Sequence, residues 1–190
     1  YINWIEQNIN DGTMQNVRHL WSSVRPNGPK RPHSLDRLEL RICDFISNID
    51  LLLAITAFLE LRVISLFDHL ESLDPLSSSK FSLDELKDIC DQNELKVSKD
   101  SLNAELIHWK DGEKIICKDW IQNLLNDLSI SSRSLAMNHF LEPIHKVLKE
   151  GNESMKWIDK YKQGLSVEDI MRSAIYNMIK NEEENNLWFK

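Results

Sequence analysis

Alternating apolar and charged positions form the first clear pattern of the chain, along Arg37–Asp44. Strand side chains alternate between two faces, so this segment predicts a β-strand with one apolar and one charged face. His19–Arg25 predicts a second strand, and the connection around Pro26–His33 is rich in Pro, Gly and Asn, which favours a turn. The two segments together predict a hairpin, and the charged face of its second strand carries Arg37, Glu39 and Arg41.

Helical patterns occupy most of the remaining chain. A segment from about Asn48 to Leu73 is apolar almost all round, which predicts a central, buried helix with Ser47 and Asp50 as its capping box. Ser82 with Glu85 predicts the start of a shorter helix. Residues 1–9 predict the end of a helix that Asp11-Gly12 closes.

A second, shorter hairpin is predicted from Ala104 to Cys117, because Asp111-Gly112 suits a tight turn between two apolar segments. The chain after it predicts four helical segments: Lys118–Asp127, Ser132–Glu150 with an interruption near Pro143, Glu153–Gln163, and Ser166 to about Lys180. Residues 181–190 are polar and predict a flexible tail.

Composition narrows the class of protein. The chain has 190 residues, 42% apolar and 28% charged, which suits one soluble domain with a core. Its net charge of −7 excludes a generally basic nucleic-acid binder. The apolar run Ile49–Phe67 carries Asp50, Glu60 and Arg62, so we expect no membrane span. Three distant cysteines without metal spacing favour reduced thiols in the cytoplasm.

The basic residues are concentrated in one segment of this acidic chain. Between Asn16 and Arg41 there are six basic residues and only two acidic ones. Arginine suits phosphate and carboxylate groups because its planar guanidinium donates two parallel hydrogen bonds. An anionic ligand near the first hairpin follows from this, although a solvated row of self-paired charges on one strand face is an alternative with the same pattern.

The spacing of Glu39 and Arg41 favours a specific chemistry. Residues two apart on a strand lie about 6.5–7 Å from each other on one face. Glu39 could therefore hold a divalent metal while Arg41 contacts an adjacent phosphate. Phosphoryl transfer needs this combination of oxygen ligands for Mg²⁺ and guanidinium groups for the transferred phosphate.

These residues also carry a resemblance to a known family. The segment Arg37-Leu-Glu-Leu-Arg-Ile-Cys-Asp44 resembles a strand of the bacterial glutamate–cysteine ligase and carboxylate–amine ligase family. Trp21-Ser-Ser-Val-Arg-Pro26 resembles that family's preceding strand, and Leu102-Asn-Ala-Glu-Leu106 resembles a later segment. The Glu-x-Arg pair is more distantly similar to the last sheet strand of glutamine synthetase.

The resemblance implies an α+β fold, in which an antiparallel hairpin belongs to a glutamine-synthetase-like active-site sheet and a mostly helical C-terminal layer backs that sheet. It also implies ATP and Mg²⁺ as cofactors. Glu39 would be a Mg²⁺ ligand, and Arg41 and Arg25 would contact transferable phosphate as catalytic and nucleotide-binding groups. Arg31 belongs to a second Arg-Pro pair and is the alternative match to the family position of Arg25. Ser23 stands where the family has an acidic residue, which weakens a metal role there.

The implied reaction joins the γ-carboxylate of glutamate to the amine of cysteine and forms γ-glutamylcysteine, so the expected partners are glutamate, cysteine and ATP. Residues 1–190 would form the C-terminal part of one catalytic domain, with further strands before Tyr1. The sequence leaves open whether identical chains form an oligomer. Two alternatives also stay open: a ligase that couples glutamate to another amine, and a non-catalytic helical module that binds an anionic partner.

Overall fold

The computed structural model describes residues 7–12, 22–25, 37–40, 46–134 and 138–185. The chain divides into two compact units, Tyr1–Ile46 and Ser47–Lys190. In the described residues helices predominate, and the strands pair in antiparallel two-stranded sheets. The structure therefore confirms the predicted α+β class.

The first unit contains the predicted hairpin. Residues 7–10 are helical (α1), and Gly12 follows at a φ of 73°, a left-handed conformation that suits glycine at a helix end. Strand β1 is Ser22–Arg25 and strand β2 is Arg37–Leu40, and the two are antiparallel neighbours. The connection between them lies outside the described residues.

The second unit is mostly helical. Its helices are α2 (Ile49–Asp68), α3 (Leu70–Leu73), α4 (Pro75–Ser78), α5 (Leu83–Asp100), α6 (Cys117–Ser134), α7 (Asn138–Glu150), α8 (Glu153–Lys162) and α9 (Val167–Asn185). A short 3₁₀ turn, Ser101–Asn103, leads from α5 into the hairpin of β3 (Glu105–Ile107) and β4 (Lys114–Ile116).

Helix α2 differs from its prediction at both ends. Its N-cap is Asn48, whose side-chain oxygen accepts a hydrogen bond of 2.8 Å from the amide of Leu51. The predicted capping box was wrong, because the Ser47 hydroxyl instead donates to the Glu153 carboxylate at 3.2 Å. At the other end the helix stops at Asp68, and His69 separates it from α3.

The expectation that α2 is buried all round was also wrong. Ala54, Ala57 and Leu61 are its buried residues, whereas Leu52 and Leu53 each expose nearly half of their surface. One stripe of the helix thus faces the core. None of the helices in the described part of the chain has the length and apolar content that a bilayer crossing requires.

The main core lies among α2, α6 and α7. Small alanines on α2 allow close approach of the other two helices, which contribute Leu125, Leu128, Leu141 and Ile144. Leu61 and Leu128 have no exposed surface. Burial of such leucine side chains supplies about 1.5–3 kcal/mol each, so this layer is a principal source of stability for the second unit.

The second hairpin is held against helix α5 and a smaller core. The Asn93 side chain donates to the carbonyl of Ile107 and accepts from its amide, both at 2.8 Å, as a neighbouring strand would do. Leu106 is buried in a cluster with Ala104 and Cys117. Gly112 has a φ of 76°, and a Cβ atom there would lie 2.7 Å from Phe81, so this turn requires glycine.

Three helix ends differ from the sequence expectations. Helix α6 continues past Asp127 to Ser134, which brings Leu128 into the main core. Helix α7 begins at Asn138 and includes Pro143 without a break. Helix α9 extends to Asn185, so residues 181–185 are helical rather than part of a loose tail, and 186–190 lie outside the described residues.

Candidate functional site

The hairpin of β1 and β2 carries the predicted site. Its register places Ser23 opposite Glu39 and Arg25 opposite Arg37. Residues directly opposite each other in an antiparallel pair belong to the same face, as do residues two apart on one strand. Ser23, Arg25, Arg37 and Glu39 therefore share one face of the hairpin.

Glu39 and Arg25 are diagonal neighbours in this register. Diagonal neighbours on one face of an antiparallel pair are about 7–8 Å apart at their Cα atoms. A divalent metal binds carboxylate oxygen within about 2.0–2.6 Å, and a guanidinium can reach a phosphate oxygen on the same ion. Residues at this separation could bring a metal-binding carboxylate and an arginine to one phosphate group, and this role of Glu39 and Arg25 stays a prediction.

Arg25 and Arg37 form a like-charged cross-strand pair. Like charges directly opposite each other destabilise a strand pair, and Glu39 is the one acidic residue on this face of the described strands. Two arginines at opposite positions of a strand pair favour a bound anion. The register therefore supports the anionic ligand that the basic segment predicts.

Sequence reasoning placed Arg37 on the charged face of the second strand but assigned it no role at a phosphate. Its charge was evident, but its position opposite Arg25 depends on the pairing register, which the loop between the strands determines. The only sequence signal was its place two residues before Glu39, on the same strand face. The structure thus adds the cross-strand pairing of Arg37 with Arg25.

For two predicted site residues, the register gives no position. Arg41 and Arg31 lie outside the described residues, so their predicted roles at a phosphate stay predictions. Glu39 supplies one carboxylate, which fits Mg²⁺, because this ion is commonly held by one or two carboxylates together with substrate phosphates and water. No group of three or more potential metal ligands occurs within the part of the chain that the structure describes.

The turn of the second hairpin holds a polar arrangement that the sequence analysis did not assign to a site. His108 Nδ1 lies 3.1 Å from the carboxylate of Asp111, which accepts hydrogen bonds when ionised, so Nδ1 carries the hydrogen. The amide of Glu113 donates to the same carboxylate and, with a smaller effect of His108, lowers the pKa of Asp111. The sequence signal for this contact was the spacing of three residues between His108 and Asp111, next to the Asp-Gly turn.

One comparison with known proteins gives a match. The family model described as glutamate-cysteine ligase family 2 matches residues 1–180, which is most of the chain. Neither a curated protein nor a solved structure matches the chain significantly. The matched range includes both hairpins and nearly all of the helices.

Proposed function

The chain belongs to glutamate-cysteine ligase family 2, a family of ligase-type enzymes, and from this premise we propose that it serves the ATP-dependent joining of L-glutamate to L-cysteine. The product is γ-glutamylcysteine. The observation that carries the proposal is the register of β1 and β2, which groups Glu39 with Arg25 and Arg37 on one face.

The reaction needs activation because hydroxide is a poor leaving group from a carboxylate. The γ-carboxylate of glutamate attacks the γ-phosphorus of ATP, which forms γ-glutamyl phosphate and releases ADP. The amine of cysteine then attacks the acyl carbon, loses a proton and displaces inorganic phosphate. An amide bond forms, and one carboxylate oxygen leaves with the phosphate.

In this proposal the protein contributes positioning and charge stabilisation. Glu39 would hold Mg²⁺, which would neutralise charge on the phosphates. Arg25 and Arg37 bind oxygens of the transferred phosphate or the carboxylate of glutamate. Arg41, two residues beyond Glu39, is proposed to bind the same phosphate, with Arg31 as the alternative to Arg25.

Isotope transfer tests this mechanism. The full-length enzyme is given ATP, cysteine and glutamate labelled with ¹⁸O in its γ-carboxylate, and the released phosphate is analysed by mass spectrometry. We expect one ¹⁸O atom in each phosphate that accompanies amide formation. Amide product with unlabelled phosphate would overturn the acyl-phosphate step.

The acceptor amine is the least constrained part of the proposal, because the described residues do not include a recognisable cysteine pocket. A coupled assay of ADP release compares cysteine with other amino acids and simple amines at equal concentration. The highest kcat/KM is expected for cysteine. A higher value for another amine would establish the alternative, a carboxylate–amine ligase with the same activation chemistry.

We further propose that these 190 residues form the C-terminal part of one catalytic domain, whose preceding strands supply additional metal ligands. The isolated chain then lacks turnover, and detectable amide formation by it would contradict this proposal. A cytoplasmic location follows from the proposed substrates, because the thiol of cysteine stays reduced there.

A further inference from the structure

A cleft in the second unit has the size and lining of a ligand site. It lies between α2, the segment around α3 and α4, the β3–β4 hairpin and α6, with a volume of about 740 Å³. Small-molecule sites commonly have volumes of about 300–1,000 Å³ and mainly apolar walls with a few polar groups. Every residue used below lies within this unit.

Aromatic rings form one wall of the cleft. The His108 ring lies 5.1 Å from the Trp120 ring and 5.7 Å from the Trp109 ring, centre to centre, in tilted arrangements. Asp111 fixes the orientation of His108 through Nδ1, as described above. Three adjacent ring systems on one wall offer flat apolar surface and ring edges to a planar ligand.

The hairpin is held in place at this wall. The Ser79 hydroxyl donates to the carbonyl of Trp109 at 2.7 Å, and the amide of Lys80 donates to the carbonyl of Lys110 at 3.2 Å. These bonds connect the segment after α4 with the hairpin turn. The aromatic wall is therefore built on a supported turn, which reduces the ordering cost of binding.

Cationic side chains also line the cleft. Arg62 is half-buried, and its guanidinium forms no hydrogen bond or ion pair with the side chains that the structure describes, so its donors can serve a ligand or water. Lys110 at the hairpin turn likewise has no side-chain partner there. Asp127 is the acidic residue of the lining, so the charged groups favour an anion.

We propose that this cleft binds a small organic anion that combines a planar aromatic ring with a phosphate or carboxylate group, such as a nucleoside monophosphate or an aromatic carboxylate. The rings of Trp109 and Trp120 take the aromatic part, and Arg62 binds the anionic group. This site contains no metal ligand set and is separate in its residues from the hairpin of Glu39.

Calorimetric titration of the full-length protein in buffer with EDTA tests the proposal. AMP represents the nucleoside monophosphates, and N-acetyltryptophan represents the aromatic carboxylates. Adenosine contains only the aromatic part of AMP, and inorganic phosphate contains only its anionic group. At least one of the first two ligands is expected to bind with a Kd of about 1 mM or tighter. Each half alone is expected to bind at least about tenfold more weakly.

Variants locate the binding. Arg62→Gln is expected to weaken binding by about tenfold or more, because it removes a charged hydrogen-bond donor. Arg172→Gln is the control, since this exposed arginine of α9 lies outside the cleft and pairs with Glu168. Trp120→Leu is expected to weaken binding similarly, with thermal unfolding measured to confirm that the variant is folded. Lys110→Gln provides a second variant at an exposed position.

Several outcomes would overturn the proposal. These are the absence of binding by both ligands, equal binding by adenosine or phosphate alone, and unchanged binding in both Arg62→Gln and Lys110→Gln. Glu39→Gln separates this site from the proposed catalytic one. Metal-free binding that persists in Glu39→Gln supports the cleft, whereas its loss assigns the ligand to the first hairpin.

Discussion

The two antiparallel hairpins of this chain carry similar charges in different arrangements. In β3–β4, Glu105 has a positive partner, because Lys114 Nζ lies 2.7 Å from its carboxylate and lowers its pKa. In β1–β2, two arginines occupy opposite positions of the strand pair, with Glu39 diagonal to Arg25. The second hairpin balances its own charges, and the first has an excess of positive charge that an anion can balance.

The two hairpins also differ in the residues that surround them. The second packs Leu106 into a core and is held by both polar groups of Asn93. The first belongs to the other compact unit and contains the segment with the greatest resemblance to a ligase family. Stability and chemistry are therefore expected to respond to substitutions in different hairpins.

The largest effect is expected from the structural hairpin. Leu106→Ala removes a side chain that is only 6% exposed, and such substitutions cost about 2–5 kcal/mol. Urea unfolding of the second unit measures the loss. Leu95→Ala on α5 is the control, because that leucine is 57% exposed. Equal losses in both variants would show that the core around this hairpin does not determine stability.

The next effect is expected in the first hairpin and in activity. Arg25→Gln and Arg37→Gln each remove a charged donor from the proposed phosphate site, so ADP formation should fall by about 10²–10³-fold. The unfolding free energy should stay within about 0.5 kcal/mol or rise, because the like-charged pair is removed. Full activity of both variants would show that these arginines are solvated charges without a role in the reaction.

The smallest effect concerns the charge pair of the second hairpin. Lys114→Gln removes the group that lowers the pKa of Glu105, so that pKa should rise towards its ordinary value. A lowered pKa stabilises the folded state above the ordinary glutamate pKa, and this contribution disappears as pH falls through the folded value. The variant should be slightly less stable at neutral pH, and this difference should disappear as pH falls below the folded-state pKa of Glu105.

NMR titration of Glu105 gives the pKa directly. Lys87→Gln is a suitable control for that measurement, since Lys87 is an exposed lysine paired with Asp84 on a different element. An unchanged Glu105 pKa in Lys114→Gln would show that the ion pair of Lys114 and Glu105 does not balance the charges of this hairpin.

Local signals in the sequence were sufficient for several elements. Ser82 and Glu85 form the predicted capping box, and the Ser166 hydroxyl accepts a hydrogen bond from the amide of Asp169 where a helix was predicted to begin. Asp111-Gly112 forms the predicted turn, because the positive φ of the glycine is a local requirement. These features depend on residues within a few positions of each other, and pattern reasoning captured them.

Tertiary packing determined the features that the sequence patterns did not predict. Pro143 cannot donate a backbone hydrogen bond, but its neighbours Leu141 and Ile144 are buried in the main core, and the helix continues through it. Leu128 extends α6 for the same reason. The place of Arg37 opposite Arg25 depends on register, and the aromatic cleft depends on packing between distant segments.

The most direct test of the account measures the Mg²⁺ dependence of ADP formation in Glu39→Gln and Glu105→Gln. Both variants neutralise a glutamate on an antiparallel hairpin strand, but only the first removes the proposed metal ligand. Glu39→Gln is expected to lose at least about a hundredfold in activity at any Mg²⁺ concentration. Glu105→Gln should stay within about twofold of the parent. Undiminished activity of Glu39→Gln with an unchanged Mg²⁺ requirement would contradict the account.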